Sequence, residues 1–258
     1  MTVELAIDGA VARVTLNRPE RMNALTVEMR EAMRDHFTRI RFDDAIRAVI
    51  VTGAGGNFCS GADVGGMGGP NDIRAARQRL QYGSHSFMRV MHATEKPVIA
   101  AVQGVAVGIG WSIALACDLI VAAEDVRFGA VFRRIGLAPD GGMPWFLARR
   151  VGVPRAKELA FSGRMVGAEE ALRVGLVEYA VPKEGLMGKA GELAADLAAG
   201  PTFAFALTKK LFEKAVGPSL EDFLDLEVMV QPSLHQTADH EEGVSAFKEK
   251  RKPTFRGR

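Results

Sequence analysis

Cysteine is nearly missing from this chain of 258 residues: Cys59 and Cys117 are the two, and they stand far apart in sequence. Such a pair builds no disulfide framework, so a packed core must hold the fold, and the reducing cytoplasm is the expected compartment. An excess of either charge is missing too. At a formal net charge of +2, no whole-molecule field recruits nucleic acid or an anionic membrane. Long apolar runs are also lacking; the longest, Val105 to Cys117, has small-residue breaks and falls short of the roughly 20 residues a span requires. The opening residues MTVELAIDGAVARV alternate like a strand and lack the basic-then-apolar layout of a secretory leader. His36, His85, His92, His235 and His240 show no metal-ligand spacing on one helical face, so no metal is expected.

Hydrophobic residues, by contrast, make up 48% of the chain, enough for one large domain or a core with a smaller appendage. Val3–Ile7 and Val11–Leu16 alternate with period two around Asp8-Gly9, which predicts a hairpin. Thr26 is placed to N-cap a helix running to about Ile40, with Met29 and Met33 on one face. Ala48–Thr52, Pro97–Gln103 and Leu119–Ala123 read as buried strands, and Val177–Val181 as a further strand. A long amphipathic helix is predicted over about Ile73–Ala93, a shorter one over Gly110–Cys117, and a mostly helical region after Gly142. Strand–helix repetition followed by a helix-only tail implies an α/β core plus helices.

Two glycine-rich breaks carry the functional signal: Gly53–Asp63, reading GAGGNFCSGAD, and Gly104–Gly110, reading GVAVGIG. Each ends a strand and passes the backbone to a loop or a helix, and two such turns side by side can aim two free N–H groups at one point. That is how an oxyanion hole stabilises charge developing on a carbonyl oxygen. Gly108-Ile109-Gly110 also suits dinucleotide binding, yet the third glycine of that fingerprint is replaced by Ile113 and the motif lies mid-chain.

The paired motifs, in this order, resemble the crotonase superfamily, the enoyl-CoA hydratase/isomerase family, over essentially the whole chain. The resemblance implies an α/β, crotonase-type spiral of ββα units, with an acyl-CoA-binding core over residues 1–199. A helical trimerisation region over 200–258 completes the expected homotrimer or hexamer. It places the oxyanion donors at the N–H groups of Ala62 and Ile109, and coenzyme A, carried as part of the substrate, along Arg21, Met22, Ala24, Gly61, Asp63 and Val64, with Phe247 and Lys250 reaching a CoA site from the C-terminal region. No separate cofactor is implied. The two glutamates that hold water in the family's hydratases fall at Ser112 and Phe132 here, and neither side chain can act as a carboxylate acid or base.

Asp140, within Ile135–Gly142 (IGLAPDGG), resembles the acidic residue of the family's isomerases and of a haloaroyl-CoA dehalogenase. Two readings of it stand on sequence: a carboxylate desolvated among Phe132, Met143 and Trp145, whose pKa burial would raise, and an N-cap of the helix starting near Gly142. Trp111, Ser112, Phe132 and Met143 are expected around the acyl group, and an aromatic wall of Trp111, Phe132 and Trp145 would suit a flat or cyclic one. The expected activity is isomerisation with Asp140 as proton shuttle. A CoA-thioester hydrolase or dehalogenase with Asp140 as nucleophile, and a non-catalytic acyl-CoA binder, remain as alternatives. The dehalogenase route needs a histidine near Asp140, and none lies between His92 and His235.

Overall fold

Backbone pairing begins as the alternation predicts. In the computed structural model, which describes residues 2–63, 65 and 72–258, β1 (Val3–Asp8) and β2 (Val11–Leu16) form an antiparallel hairpin. β3 (Ala48–Gly53), β4 (Val98–Val102), β6 (Leu119–Ala123) and β9 (Tyr179–Val181) extend it in parallel, in the order β1-β2-β3-β4-β6-β9. A second, smaller sheet joins β5 (Val105–Val107), β7 (Arg127–Gly129) and β8 (Met165–Val166). These three strands are too short to show a period, and the sequence does not announce them.

The two sheets together are the spiral. β4 feeds β5 and β6 feeds β7, so each turn gives one strand to each layer before a helix closes it. An isolated parallel bridge between Cys59 and Ala106 adds the turn that starts at β3 to the small sheet.

Helices cover both faces of the large sheet. α1 (Val27–Phe42) is capped by the Thr26 hydroxyl, which accepts from the Met29 amide at 3.2 Å, and it buries Met29, Met33, Phe37 and Ile40 at helical spacing. α2 (Ile73–Gln78) and α3 (His85–His92) occupy the span where one continuous helix is expected. A six-residue π turn, Arg79–Ser84, interrupts it around Gly83, a weak helix former. α4 is Ile109–Leu115, shorter than expected and wholly buried. α5 (Met143–Val151), α6 (Val153–Ser162) and α7 (Ala168–Arg173) follow.

α8 (Leu186–Ala199) lies on the opposite face. Its stripe of Leu186, Ala190, Ala194 and Ala198 lets the backbone approach Ile50, Ile99 and Val121 closely. α9 (Thr202–Lys214), α10 (Leu220–Leu234) and α11 (Ala238–Glu249) complete the chain. Arg47 binds them to the core by donating to Thr202 Oγ1 at 2.9 Å, to the Phe255 carbonyl at 3.0 Å, and to the Gly200 carbonyl. Among the described residues no helix is long and apolar enough to cross a membrane.

Candidate active site

The glycine breaks meet where the spiral crosses between its sheets. Cys59 donates to the Val105 carbonyl at 2.9 Å and accepts from the Val107 amide at 3.0 Å, which locks the two strands side by side. Both then turn at glycines of positive φ, +102° at Gly61 and +56° at Gly108. A Cβ on Gly108 would stand 3.8 Å from the Gly61 Cα, so the two turns are in contact. The next residues are Ala62 and Ile109. Neither amide donates to an acceptor among the described residues, and that of Ile109 is the first N–H of α4. Two unspent donors on adjacent turns have the form of an oxyanion hole. Gly110 serves packing, because a Cβ there would fall 2.4 Å from the Cys59 carbonyl oxygen. The Ile109 side chain is buried, with Cγ1 3.1 Å from where a Gly141 Cβ would sit.

The segment expected to meet coenzyme A is held against this hole. Leu25 donates to the Gly61 carbonyl at 2.8 Å, and Asp63 donates back to the Leu25 carbonyl at 3.0 Å. Buried Asn23, at φ +57°, fixes the turn by donating to the carbonyls of Ala54 at 2.9 Å and Asn57 at 2.7 Å. Arg18 bridges the pieces, pairing with Asp63 at 2.6 Å and donating to the Ala24 carbonyl at 3.1 Å. The Gly65 amide, and then Arg18, hold the Asp63 carboxyl below its ordinary range. Asp63 is thus committed to the loop, while Arg21 and Met22 stay exposed and Ala24 is half-buried. Val64 lies outside the described residues. Asn23 and Arg18 were not singled out from sequence; the positive φ of Asn23 is the property that marks it afterwards.

Asp140 closes the site from the far side. Its carbonyl accepts from the Ser112 hydroxyl at 2.9 Å and from the Met143 amide at 3.1 Å, which ties the Asp140 turn to α4. The capping reading is overturned: Gly142 occupies the N-cap of α5, no side chain caps that helix, and Asp140 Oδ1 is buried without a hydrogen-bond partner among the described residues. The expectation of a desolvated carboxyl holds. Burial raises its pKa, and the electrostatic influence of Arg30, then of His85, offsets that rise in part.

Those two neighbours are what sequence reasoning missed. His85 follows the π turn and comes within electrostatic reach of Asp140, so the argument that no histidine stands near it fails. Arg30 comes from α1, 110 positions away in sequence, and no local motif marks it.

The remaining expectations divide. Phe132 is nearly buried with its ring tip 3.9 Å from a would-be Gly108 Cβ, and buried Met143 begins α5 with its amide donating to the Asp140 carbonyl at 3.1 Å. Trp111 is a correction: it is fully buried and stacks on Phe128 with centroids 5.7 Å apart, facing the core. Ser112 is another, since it is fully buried and its hydroxyl is spent on backbone carbonyls. Trp145 leaves the proposed wall as well; it is 40% exposed, packs edge-on to His92 and Phe146, and carries Arg149 over its face at 3.6 Å. Burial pushes the Cys59 thiol up to about 12, so it is no nucleophile. Phe247 is 85% exposed and Lys250 ends α11 in the left-handed conformation; no described contact joins either to Asp140.

Comparison with known proteins gives the family. The enoyl-CoA hydratase/isomerase family model matches residues 6–258. A Rhodobacter capsulatus protein named probable enoyl-CoA hydratase is 41% identical over 257 residues, covering 100% of this chain and 98% of its own. The Escherichia coli K12 1,2-epoxyphenylacetyl-CoA isomerase is 38% identical, covering 98% of this chain and 97% of its own. The crystal structure of an enoyl-CoA hydratase from Bacillus anthracis superposes with a TM-score of 0.93 at 34% identity, covering 100% of both chains. The chain belongs to the enoyl-CoA hydratase/isomerase family and has its crotonase fold.

Proposed function

We propose that this family member is an acyl-CoA isomerase: the thioester carbonyl accepts hydrogen bonds from the Ala62 and Ile109 amides, and Asp140 moves a proton between carbons of the acyl group. The observation that carries the reading is the unpartnered, buried Oδ1 of Asp140, tied through Ser112 to the helix whose first amide belongs to the oxyanion hole. A carboxylate that spends no hydrogen bond on the protein, and whose pKa burial has raised, is a better proton acceptor. The oxyanion donors acidify the α-carbon and stabilise the enolate, and the protonated Asp140 returns the proton at another carbon. Relatives carry both hydratase and isomerase names; the isomerase reading rests on Ser112 and Phe132 standing where the resemblance places the hydratase glutamates.

Incubation with a 3-enoyl-CoA in deuterated water tests it: α and γ exchange with double-bond movement is expected, and binding without exchange leaves a non-catalytic acyl-CoA binder. Crotonyl-CoA hydration is expected at least about a hundredfold below that of a hydratase, since a positioned acid or base contributes on that order. A second reading gains from His85: Asp140 attacks the halogen-bearing carbon of a haloaroyl-CoA and expels halide, and His85 acts as base for the water that hydrolyses the resulting ester at the Asp140 carbonyl. Single-turnover reaction of a haloaroyl-CoA in 18O-water would label Asp140 only if the second reading is right. A cytoplasmic homotrimer or hexamer, with Phe247 and Lys250 completing a CoA site, belongs to the same proposal.

A further inference from the structure

A groove of about 510 Å³ opens among α9, α10, α11 and the chain that follows them, and it shares no lining residue with the oxyanion turns or the Asp140 turn. Its volume lies in the range of about 300–1,000 Å³ that small-ligand sites occupy. Phe203 of α9, Leu234 of α10, Val244 and Phe247 of α11, and Phe255 beyond it give the groove apolar walls. Those walls are fixed by backbone contacts. The Thr237 hydroxyl caps α11 by accepting from the His240 amide at 3.1 Å, which sets the turn from α10. After α11 the chain folds back: the Asp239 carboxylate accepts from the amides of Arg256 at 2.6 Å and Gly257 at 2.7 Å. Arg47 donates to the Phe255 carbonyl at 3.0 Å, and the Phe255 ring lies against Gly243, where a Cβ would stand 3.5 Å away.

The polar part of the lining is one-sided. Exposed Lys248, His235 and His240 contribute side chains that make no hydrogen bond or ion pair among the described residues. The two imidazoles stack with centroids 4.9 Å apart and planes 21° apart. Their faces are thus partly spent on one another, and their edges, which carry the ring nitrogens, are left for a ligand. Asp239 is the one acidic side chain of the lining; it is 6% exposed and both its oxygens are spent on the amides just described. The nearby acids Glu242 and Glu249 pair with Arg251 instead of Lys248. Arg258 carries both a guanidinium and the final carboxylate and leaves the balance unchanged. Apolar walls gain from a hydrocarbon chain that displaces water. A free ammonium beside two imidazole edges calls for one anionic acceptor, whereas a polyanion such as coenzyme A would bring more charge than this wall can match.

We propose that this groove is a second ligand site, which binds a monocarboxylate with an apolar chain. Its carboxylate meets Lys248 and the edges of His235 and His240, and its chain lies along Phe203, Leu234, Val244 and Phe255. The site goes beyond the acyl-CoA reading and does not rest on it, because Ala62, Ile109 and Asp140 take no part.

Calorimetry of the full chain with decanoate, butyrate and decanol, each below its aggregation threshold, tests the proposal. Decanoate should bind saturably, one per chain, and at least about tenfold more tightly than butyrate, as burial of the added methylenes predicts. It should also bind more tightly than decanol, which lacks the charge. Lys248→Met should weaken decanoate about two- to fivefold, the scale of an exposed ion pair, and leave decanol unchanged. Val244→Glu should weaken decanoate at least about tenfold by setting a carboxylate among the apolar walls. Melting temperatures show whether each variant is folded; if Val244→Glu is not, the decanoate-to-decanol ratio in Lys248→Met decides. Equal affinity for decanol and decanoate, or unchanged decanoate binding in both variants, would overturn the assignment. So would displacement of decanoate by coenzyme A or crotonyl-CoA, which would put the chain in the acyl-CoA site. Absence of saturable binding, or binding that appears only when Val228→Glu with Met229→Glu dissociates the protein, would overturn it too, the latter because a second copy then fills the groove. Any of these failures leaves deuterium exchange on a 3-enoyl-CoA as a separate measure of the isomerase reading.

Discussion

At the residue scale, the proposed role of Asp140 can be probed through protons. Burial raises the Asp140 pKa, so folding disfavours its ionised form. The sign follows: below the ordinary carboxyl range Asp140 is protonated whether folded or not and costs nothing. As pH rises past about 4 the unfolded chain ionises first, and the native state loses stability until the folded group has titrated too. Asp140→Asn should therefore melt at the same temperature as the unmodified protein or higher at pH 7, with any gain vanishing near pH 3. Its deuterium exchange should fall at least about a hundredfold. Retained exchange would remove Asp140 from the reaction. The acid limb of kcat/KM should lie above the usual aspartate range, because the shuttle needs the ionised form. Arg30→Met should move that limb to still higher pH, since Arg30 is the larger of the electrostatic influences that lower the Asp140 pKa. A pH-rate profile of both proteins checks the direction.

At the scale of elements, α4 matters most. α4 supplies the Ile109 amide and, one turn on, the Ser112 hydroxyl that holds the Asp140 carbonyl at 2.9 Å. Ser112→Ala should lower kcat several-fold with little change in the affinity for acyl-CoA, because it loosens the Asp140 turn without touching either oxyanion amide. Equal kinetics in steady-state assays would show that the turn holds itself. Gly110→Ala is a harsher change to the same helix. Its Cβ would meet the Cys59 carbonyl at 2.4 Å, so α4 or the Cys59 strand must move. A cost of about 1–3 kcal/mol is expected from such overpacking, together with loss of CoA-ester binding as the two amides separate. Denaturant unfolding and calorimetry read the two effects independently. The π turn between α2 and α3 works in the same way, since it decides where Gly83 and His85 face.

At the scale of the whole molecule, the C-terminal helices carry an apolar surface. α10 contains no buried residue, and Leu220, Val228 and Met229 are each at least two-thirds exposed. Beside it lies a groove of about 510 Å³ lined by Phe203, Leu234, Val244, Phe247 and Phe255 among others. Surface of this kind on a helix packed against little of its own chain suits a symmetric contact between copies. Light scattering at micromolar concentration should give a trimer or a dimer of trimers. Val228→Glu with Met229→Glu should shift it toward monomer, and a chain that is monomeric without those changes would contradict the assembly.

What the sequence determined by itself is whatever depends on neighbours along the chain. The hairpin, the Thr26 cap, the buried strands and the two glycine breaks are local, because period, capping chemistry and positive φ are properties of a few consecutive residues. The proposed site residues Ala62, Ile109 and Asp140 lie on or beside those local signals, and their roles come from a resemblance that spans the chain. Tertiary structure decided what each side chain faces. It turned Trp111 and Ser112 into the core, moved Trp145 to the rim, and denied Asp140 its helix cap because Gly142 takes that place. It also brought Arg30 and His85 to Asp140 from α1 and from the end of the π turn. A partner that arrives from more than fifty positions away leaves no period or spacing in the chain, and only the folded packing of α1 and α3 against each other brings it within electrostatic reach of the carboxyl.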